Sequence, residues 1–122
     1  MKFRLVLLIT AFSIMTVGCS KFSGNNLAGT RWSGELISTE FEDGERNELS
    51  FEFDNGKADF TYLKYGEQHP EKGVLLYTAT ESTVTFSKAN DDLNGQWTIS
   101  SLKGKDMTLT RTNTTINLRR RQ

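Results

Sequence analysis

The sequence predicts a small all-β domain, an antiparallel up-and-down meander of about eight strands, behind a short apolar leader. Three observations predict it. From about residue 27 onward, apolar residues alternate with polar ones, the pattern of strands with one buried face. Turn residues separate these runs at short, even intervals. No segment of useful length repeats its apolar residues every 3.6 positions, as an amphipathic helix would. The connections are too short for the crossovers that parallel strands need, so neighbours should pair antiparallel. Even spacing of this kind suits a barrel or a sandwich.

The first strand is expected over Thr30–Phe41, with Trp32 and Leu36 on one face, and the acidic loop Glu42-Asp43-Gly44-Glu45 follows. Glu48–Asp54 sets Leu49, Phe51 and Phe53 against Glu48, Ser50 and Glu52. Asp54-Asn55-Gly56 is the strongest hairpin signal, since Asn and Gly tolerate the positive φ of a type I′ turn. The third strand, Lys57–Tyr65, groups Ala58, Phe60 and Tyr62. The polar loop Gly66–Lys72 holds the only proline and the only histidine. Gly73–Thr80 and Thr83–Ser87 come next, the latter with Val84 and Phe86 on one face. After the turn Ala89–Gly95, Gln96–Ser101 aligns Trp97 with Ile99. A tight turn at Lys103-Gly104 leads to Asp106–Arg111, which aligns Met107, Leu109 and Arg111, and Thr115–Arg119 is the eighth strand. Each buried large apolar side chain contributes on the order of 1.5–3 kcal/mol. The opposing cost is about 1–2 kcal/mol per residue of backbone ordered, so most of these side chains must be buried for the domain to fold.

The leader is read separately. Met1-Lys2-Phe3-Arg4 is basic, and Leu5 to Val17 is apolar apart from Thr10, Ser13 and Thr16. This run is shorter than the roughly 20 residues that span a bilayer, and it matches the apolar core of a secretory signal. It ends at Thr16-Val17-Gly18-Cys19, which resembles the lipobox of bacterial lipoproteins. The resemblance implies a signal peptide over residues 1–18, cleavage before Cys19, and attachment of fatty chains such as palmitate to that residue. Cys19 is the only cysteine; a lone thiol in an oxidising compartment invites unwanted pairing, whereas a lipidated one has its sulfur already in use. A single acyl chain holds a protein only marginally, and two or three hold it firmly. Residues 19–26, small and polar, read as a lipidated tether, and 27–122 as the domain. Ser20 follows the cysteine where aspartate would signal inner-membrane retention, so the resemblance implies the outer membrane of a Gram-negative cell envelope.

Removing Lys2 and Arg4 leaves thirteen basic and fifteen acidic side chains, a charge of about −2. Nucleic acid is therefore not an expected partner, because its binding needs a clustered basic surface. Arg119-Arg120-Arg121 is the one basic run; it reads first as a solvated end and second as a contact for lipid or glycolipid phosphates.

At Leu27-Ala28-Gly29-Thr30-Arg31-Trp32 a glycine shortly precedes a first-strand tryptophan in an eight-strand meander. This resembles the lipocalin-like, calycin-type barrels, and the similarity runs from Leu27 to about Leu118. It implies that Trp32 closes one end of a barrel and stacks against Arg111 from a late strand. The family's Gly-x-Trp spelling occurs literally at Gly95-Gln96-Trp97, on the sixth strand instead of the first.

Candidate chemistry is sparse. Asn90-Asp91-Asp92-Leu93-Asn94-Gly95 looks like the opening of a Ca²⁺ loop, but position twelve, where a bidentate acid belongs, is Ser101. An Asx-rich hairpin turn is the simpler reading, and no metal or other cofactor is expected. His69 has no second histidine or free thiol to form a zinc site or a triad. The carboxylates Glu40, Glu42, Asp43, Glu45 and Glu48 crowd a loop of alternating charge, which is how a solvated loop looks. An enzyme is not expected. The inner aromatics Phe51, Phe60, Tyr62, Tyr77, Phe86 and Trp97 remain as candidates to line a pocket for a small apolar or amphipathic ligand. They are equally suited to fill the barrel, leaving at most a shallow hollow near one mouth. Two functions follow as expectations: a membrane-anchored module that binds such a ligand, or an interaction or inhibitor lipoprotein that meets an envelope protein through loops or an edge strand.

Overall fold

The computed structural model describes residues 27–121. The leader, Cys19 and the tether lie outside the described residues. The chain forms eight strands, β1 (Arg31–Ser38), β2 (Asn47–Phe53), β3 (Lys57–Leu63), β4 (Glu71–Ala79), β5 (Thr83–Ser87), β6 (Gly95–Lys103), β7 (Asp106–Arg111) and β8 (Thr114–Arg121). Each pairs antiparallel with the next in sequence, and β8 returns to pair with β1, so the sheet is a closed barrel. Among the described residues, closure leaves no edge strand.

Alternation places the core. Trp32 and Leu36, then Leu49, Phe51 and Phe53, then Ala58, Phe60 and Tyr62 are buried, with exposed or half-buried neighbours between them. Leu75, Tyr77, Val84, Phe86, Trp97, Met107, Leu109, Ile116 and Leu118 continue the set round the barrel. The β1–β8 seam depends on Gly34, the inward position between Trp32 and Leu36. A Cβ there would run into the carbonyl oxygen of Asn117 on β8, so only glycine lets the two strands meet at their pairing distance.

The strands differ from their expected bounds in instructive ways. β1 stops at Ser38, and residues 39–41 begin a loop in which Thr39 donates its N–H to Asn113 and Phe41 to Ser38. β4 starts two residues early, because Glu71 and Lys72 pair with Tyr62 and Thr61. β6 runs on to Lys103 through a bulge between Ile99 and Ser101, which leaves Ile99 half-buried. β8 spans eight residues, since pairing with both β7 and β1 extends it to Arg121. At Asp54-Asn55-Gly56 only Gly56 has a positive φ, so the turn is not type I′. The Asp54 carbonyl there accepts the Tyr77 hydroxyl at 2.7 Å, and the Gly56 carbonyl accepts the Tyr77 N–H at 3.0 Å. The hairpin is thereby pinned to β4.

Candidate functional site

The barrel has two unlike ends. At the entry end, where the chain comes into β1, lie the tight turns 54–56, 80–82 and 104–105 and the last residues of β8. At the loop end lie the longer connections 39–46, 64–70 and 88–94, with the two-residue turn 112–113. Charge divides the same way. Taking turns with their flanking strand residues, the loop end carries eight acidic side chains (40, 42, 43, 45, 67, 71, 91, 92) against four basic ones (46, 64, 88, 111). The entry end carries five basic (31, 57, 103, 105, 121) against three acidic (54, 81, 106); one or two residues further in, Arg119 and Arg120 stand with Glu52 and Asp59.

The six inner aromatics all belong to the one buried core of the barrel. Phe51 stacks on Phe86 at 5.2 Å between centroids and lies 5.3 Å from Phe53, whose ring meets Tyr77 edge-on at 4.9 Å. These are spacings at which aromatic pairs attract. Phe60 covers inward-facing Gly73, where an added Cβ would sit 3.2 Å from its ring. All six are between 0 and 9 % exposed. They run the length of the barrel, from Tyr77, whose hydroxyl meets the 54–56 turn, to Tyr62 and Trp97 at the loop end.

The expected pairing of Trp32 with Arg111 is corrected by the register. Trp32 lies opposite Arg120 on β8, near the entry end, whereas Arg111 lies opposite Thr114, which pairs with Ser38. Six strand residues, about 20 Å, separate the two levels. Trp32 instead sits fully buried with its indole N–H on the Thr30 hydroxyl at 2.8 Å, and that hydroxyl donates to the Leu27 carbonyl at 2.5 Å. Arg111 closes the other end. Its guanidinium carbon stands 4.1 Å from the ring centroid of Trp97, within cation–π range. The arginine stack therefore belongs to the literal Gly95-Gln96-Trp97. Gly95 is required there twice over, since its φ is +114° and a Cβ would lie 2.9 Å from an Arg111 nitrogen.

Arg111 also fastens the loop 88–94 across the mouth. It donates to the carbonyls of Asn94 and Asp92, each at 2.5 Å. The Trp97 indole N–H takes the Leu93 carbonyl at 2.9 Å, and the Leu93 side chain is fully buried. Asn90, Asp92, Leu93 and Asn94, from the stretch that resembles a Ca²⁺ loop, take part in this closure. Asn90 and Asn94 accept the backbone N–H groups of Leu93 and Ala89 through their side-chain oxygens, both at 2.9 Å. The Asp92 carboxylate accepts the Tyr62 hydroxyl at 2.8 Å, that hydroxyl accepts an Asn47 amide N–H at 2.7 Å, and Asn47 accepts the Tyr65 backbone N–H at 2.8 Å. Burial, reinforced by the bond to Asp92, pushes the Tyr62 hydroxyl well above its ordinary range, so it stays protonated and donating. Burial draws the Arg111 guanidinium down from its usual value, and Asp92 works against that pull.

Outside this closure the loop end forms an open cup of about 460 Å³, bordered by Glu40, Phe41, Lys64, Tyr65, Asp91 and the flank of Arg111. Tyr65 is 61 % exposed at its rim. His69 is exposed in the 64–70 loop. Sequence reading missed Leu93, hidden in a polar turn, and Asn47, a buried polar residue at the start of β2; both positions matter only through bonds formed across the mouth. A second groove, of about 1080 Å³, runs along the outer wall from Arg119–Arg121 across β1 and β2 to Lys72 and Val74 on β4. Comparisons with protein-family models, curated proteins and solved structures found no match to this chain.

Proposed function

We propose that this chain is a lipid-anchored lipoprotein of the cell envelope, held in the outer membrane by acylated Cys19, whose barrel is a non-enzymatic interaction module. The loop end is the surface it offers to an envelope protein. One observation carries the choice of a protein over a ligand inside the barrel: Phe51, Phe86 and Tyr77, three of the aromatics suited to line a pocket, are packed with Phe53 at ring spacings of 4.9–5.3 Å. A ligand of ordinary size needs about 300 Å³ or more of concave space. The cup at the loop end has that volume and is open, with an exposed tyrosine and an acidic border, features suited to a basic protein surface.

Two experiments test the reading. Native mass spectrometry of the protein released gently from membranes is expected to give the mass of the acylated chain alone. A stoichiometric small molecule retained in every preparation would return the function to ligand carriage. A photo-crosslinking amino acid placed in cells at Tyr65 is expected to yield a discrete protein adduct that the same probe at Thr98, on the barrel wall, does not. Equal labelling at both positions would remove the loop end as the interaction surface.

A further inference from the structure

We infer that the entry end of the barrel is a seat for anionic lipid headgroups, so that the domain stands end-on against the bilayer with its acidic loop end facing away. The inference rests on the reading that Cys19 carries the anchor, and it adds the orientation and the lipid chemistry recognised.

Three observations converge on it. First, the entry end holds a concave site of about 290 Å³ lined by Arg31, Lys105, Arg120 and Arg121 together with Gly29 and Thr30. It is built, because the Arg120 N–H donates to the Lys105 carbonyl at 2.7 Å and so ties the end of β8 to the 104–105 turn. Guanidinium forks and an ammonium around a polar hollow are the donors that phosphate oxygens select. Second, the chain leaves the barrel here. Leu27 is buried at this end, and Gly29 donates to the Phe53 carbonyl at 2.8 Å. Only eight residues run from Cys19 to Leu27, a reach of at most about 29 Å even fully extended. A membrane-held Cys19 therefore keeps this end within reach of the headgroups. Third, the charges along the barrel are polarised, basic at the entry end and acidic at the loop end. An anionic surface attracts the one and repels the other.

The acidic groups at this end are Asp54 and Glu81 in the turns, Asp106, which holds Arg119 at 3.0 Å, and Glu52 and Asp59, which stand in register with Arg31. None of these carboxylates lines the hollow itself.

Lysine footprinting on the full-length native protein tests this. The protein is reconstituted into vesicles of phosphatidylcholine alone or with about one third phosphatidylglycerol, and treated briefly with an amine-acetylating reagent. Each basic residue held near an anionic surface adds about fivefold to partitioning. Lys105 is accordingly expected to react about tenfold more slowly in the anionic vesicles, with Lys64 and Lys88 unchanged. About 0.5 M NaCl, which shortens the screening length to roughly 4–5 Å, should abolish the difference. The double variant Arg120→Gln/Arg121→Gln, checked for folding by circular dichroism, is expected to lose it also. Lys64→Gln/Lys88→Gln, with the same change of net charge, should keep it. Equal Lys105 reactivity in both vesicle types, or protection at Lys64 and Lys88, overturns the proposal. So does protection by inorganic phosphate in neutral vesicles equal to that given by phosphatidylglycerol, which would make the hollow a free-anion site. The intact mass of the same sample reports acylation of Cys19 independently. Where it shows none, the anchoring reading fails alone, and co-sedimentation of the unacylated chain with anionic against neutral vesicles still decides the seat.

Discussion

Replacing Arg111 with leucine removes its three strongest polar interactions, and a longer bond to the Asp91 carbonyl at 3.5 Å, and keeps most of the apolar contact with Trp97. Lost are two hydrogen bonds from a charged donor to the carbonyls of Asn94 and Asp92, and the cation over the indole at 4.1 Å. Bonds of this kind are worth about 1.5–3 kcal/mol net, and a partly desolvated cation–π contact about 0.5–2 kcal/mol. Arg111 is half-buried, so the lower figures apply, and the leucine recovers part of the packing. The expected loss is about 3 kcal/mol, which for a domain of this size lowers the Tm by roughly 12–20 °C. Urea denaturation followed by tryptophan fluorescence suits the measurement, because Trp97 lies directly beneath the guanidinium. Arg111→Lys keeps the charge but not the two-pronged geometry, and is expected to lose about 2 kcal/mol. Gly95→Ala supplies the cross-check. Its Cβ would press on the guanidinium, so part of its cost should vanish once Arg111 is leucine, giving a coupling of about 0.5–1.5 kcal/mol. A loss below about 1 kcal/mol for Arg111→Leu, together with strict additivity in the cycle, would refute this view of how the mouth is closed.

Three further outcomes follow from the same structure. Gly34→Ala should cost about 3 kcal/mol, because its side chain meets the Asn117 carbonyl, and hydrogen exchange should show the β1–β8 seam opening first. Phe51→Ala, which removes a ring packed between Phe53 and Phe86, should lose about 3–5 kcal/mol in the same urea experiment. Tyr62 gives a pH signature. Its hydroxyl is raised above the ordinary value of 10.0 in the folded protein, so its contribution is complete below pH 10 and falls as the unfolded chain begins to ionise above it. Stability measured from pH 8 to 11 should decline at the alkaline end, and Tyr62→Phe should show a shallower decline from a lower starting point. An unchanged slope would assign the alkaline loss to other groups.

How much of this was legible in the sequence follows from which interactions are local. Two-residue alternation was enough to place Leu49, Phe51, Phe53, Phe60 and Tyr62 inside, because a strand with one wet face must repeat every second residue. The turns announced themselves through glycine and Asx residues. The closing contact did not. Alternation alone puts Arg111 at a strand end, but a tryptophan on β1 and one on β6 look alike until the register is fixed. Only the register shows Trp32 near one end and Arg111 near the other. Leu93 was hidden for a related reason: an apolar residue in an Asn/Asp turn reads as solvated unless a partner such as the Trp97 indole draws the turn inward. The sorting of charge between the ends was also out of reach, since it emerges only when alternate turns are gathered at one end of a closed barrel.

Intact-mass analysis of the protein purified from the membrane fraction of its native cell bears most directly on the idea that an acylated tether holds a packed barrel at the envelope. The expected species begins at Cys19 and carries the added mass of two or three fatty chains. A chain that still begins at Met1, or one that begins near residue 19 with an unmodified thiol, would contradict it.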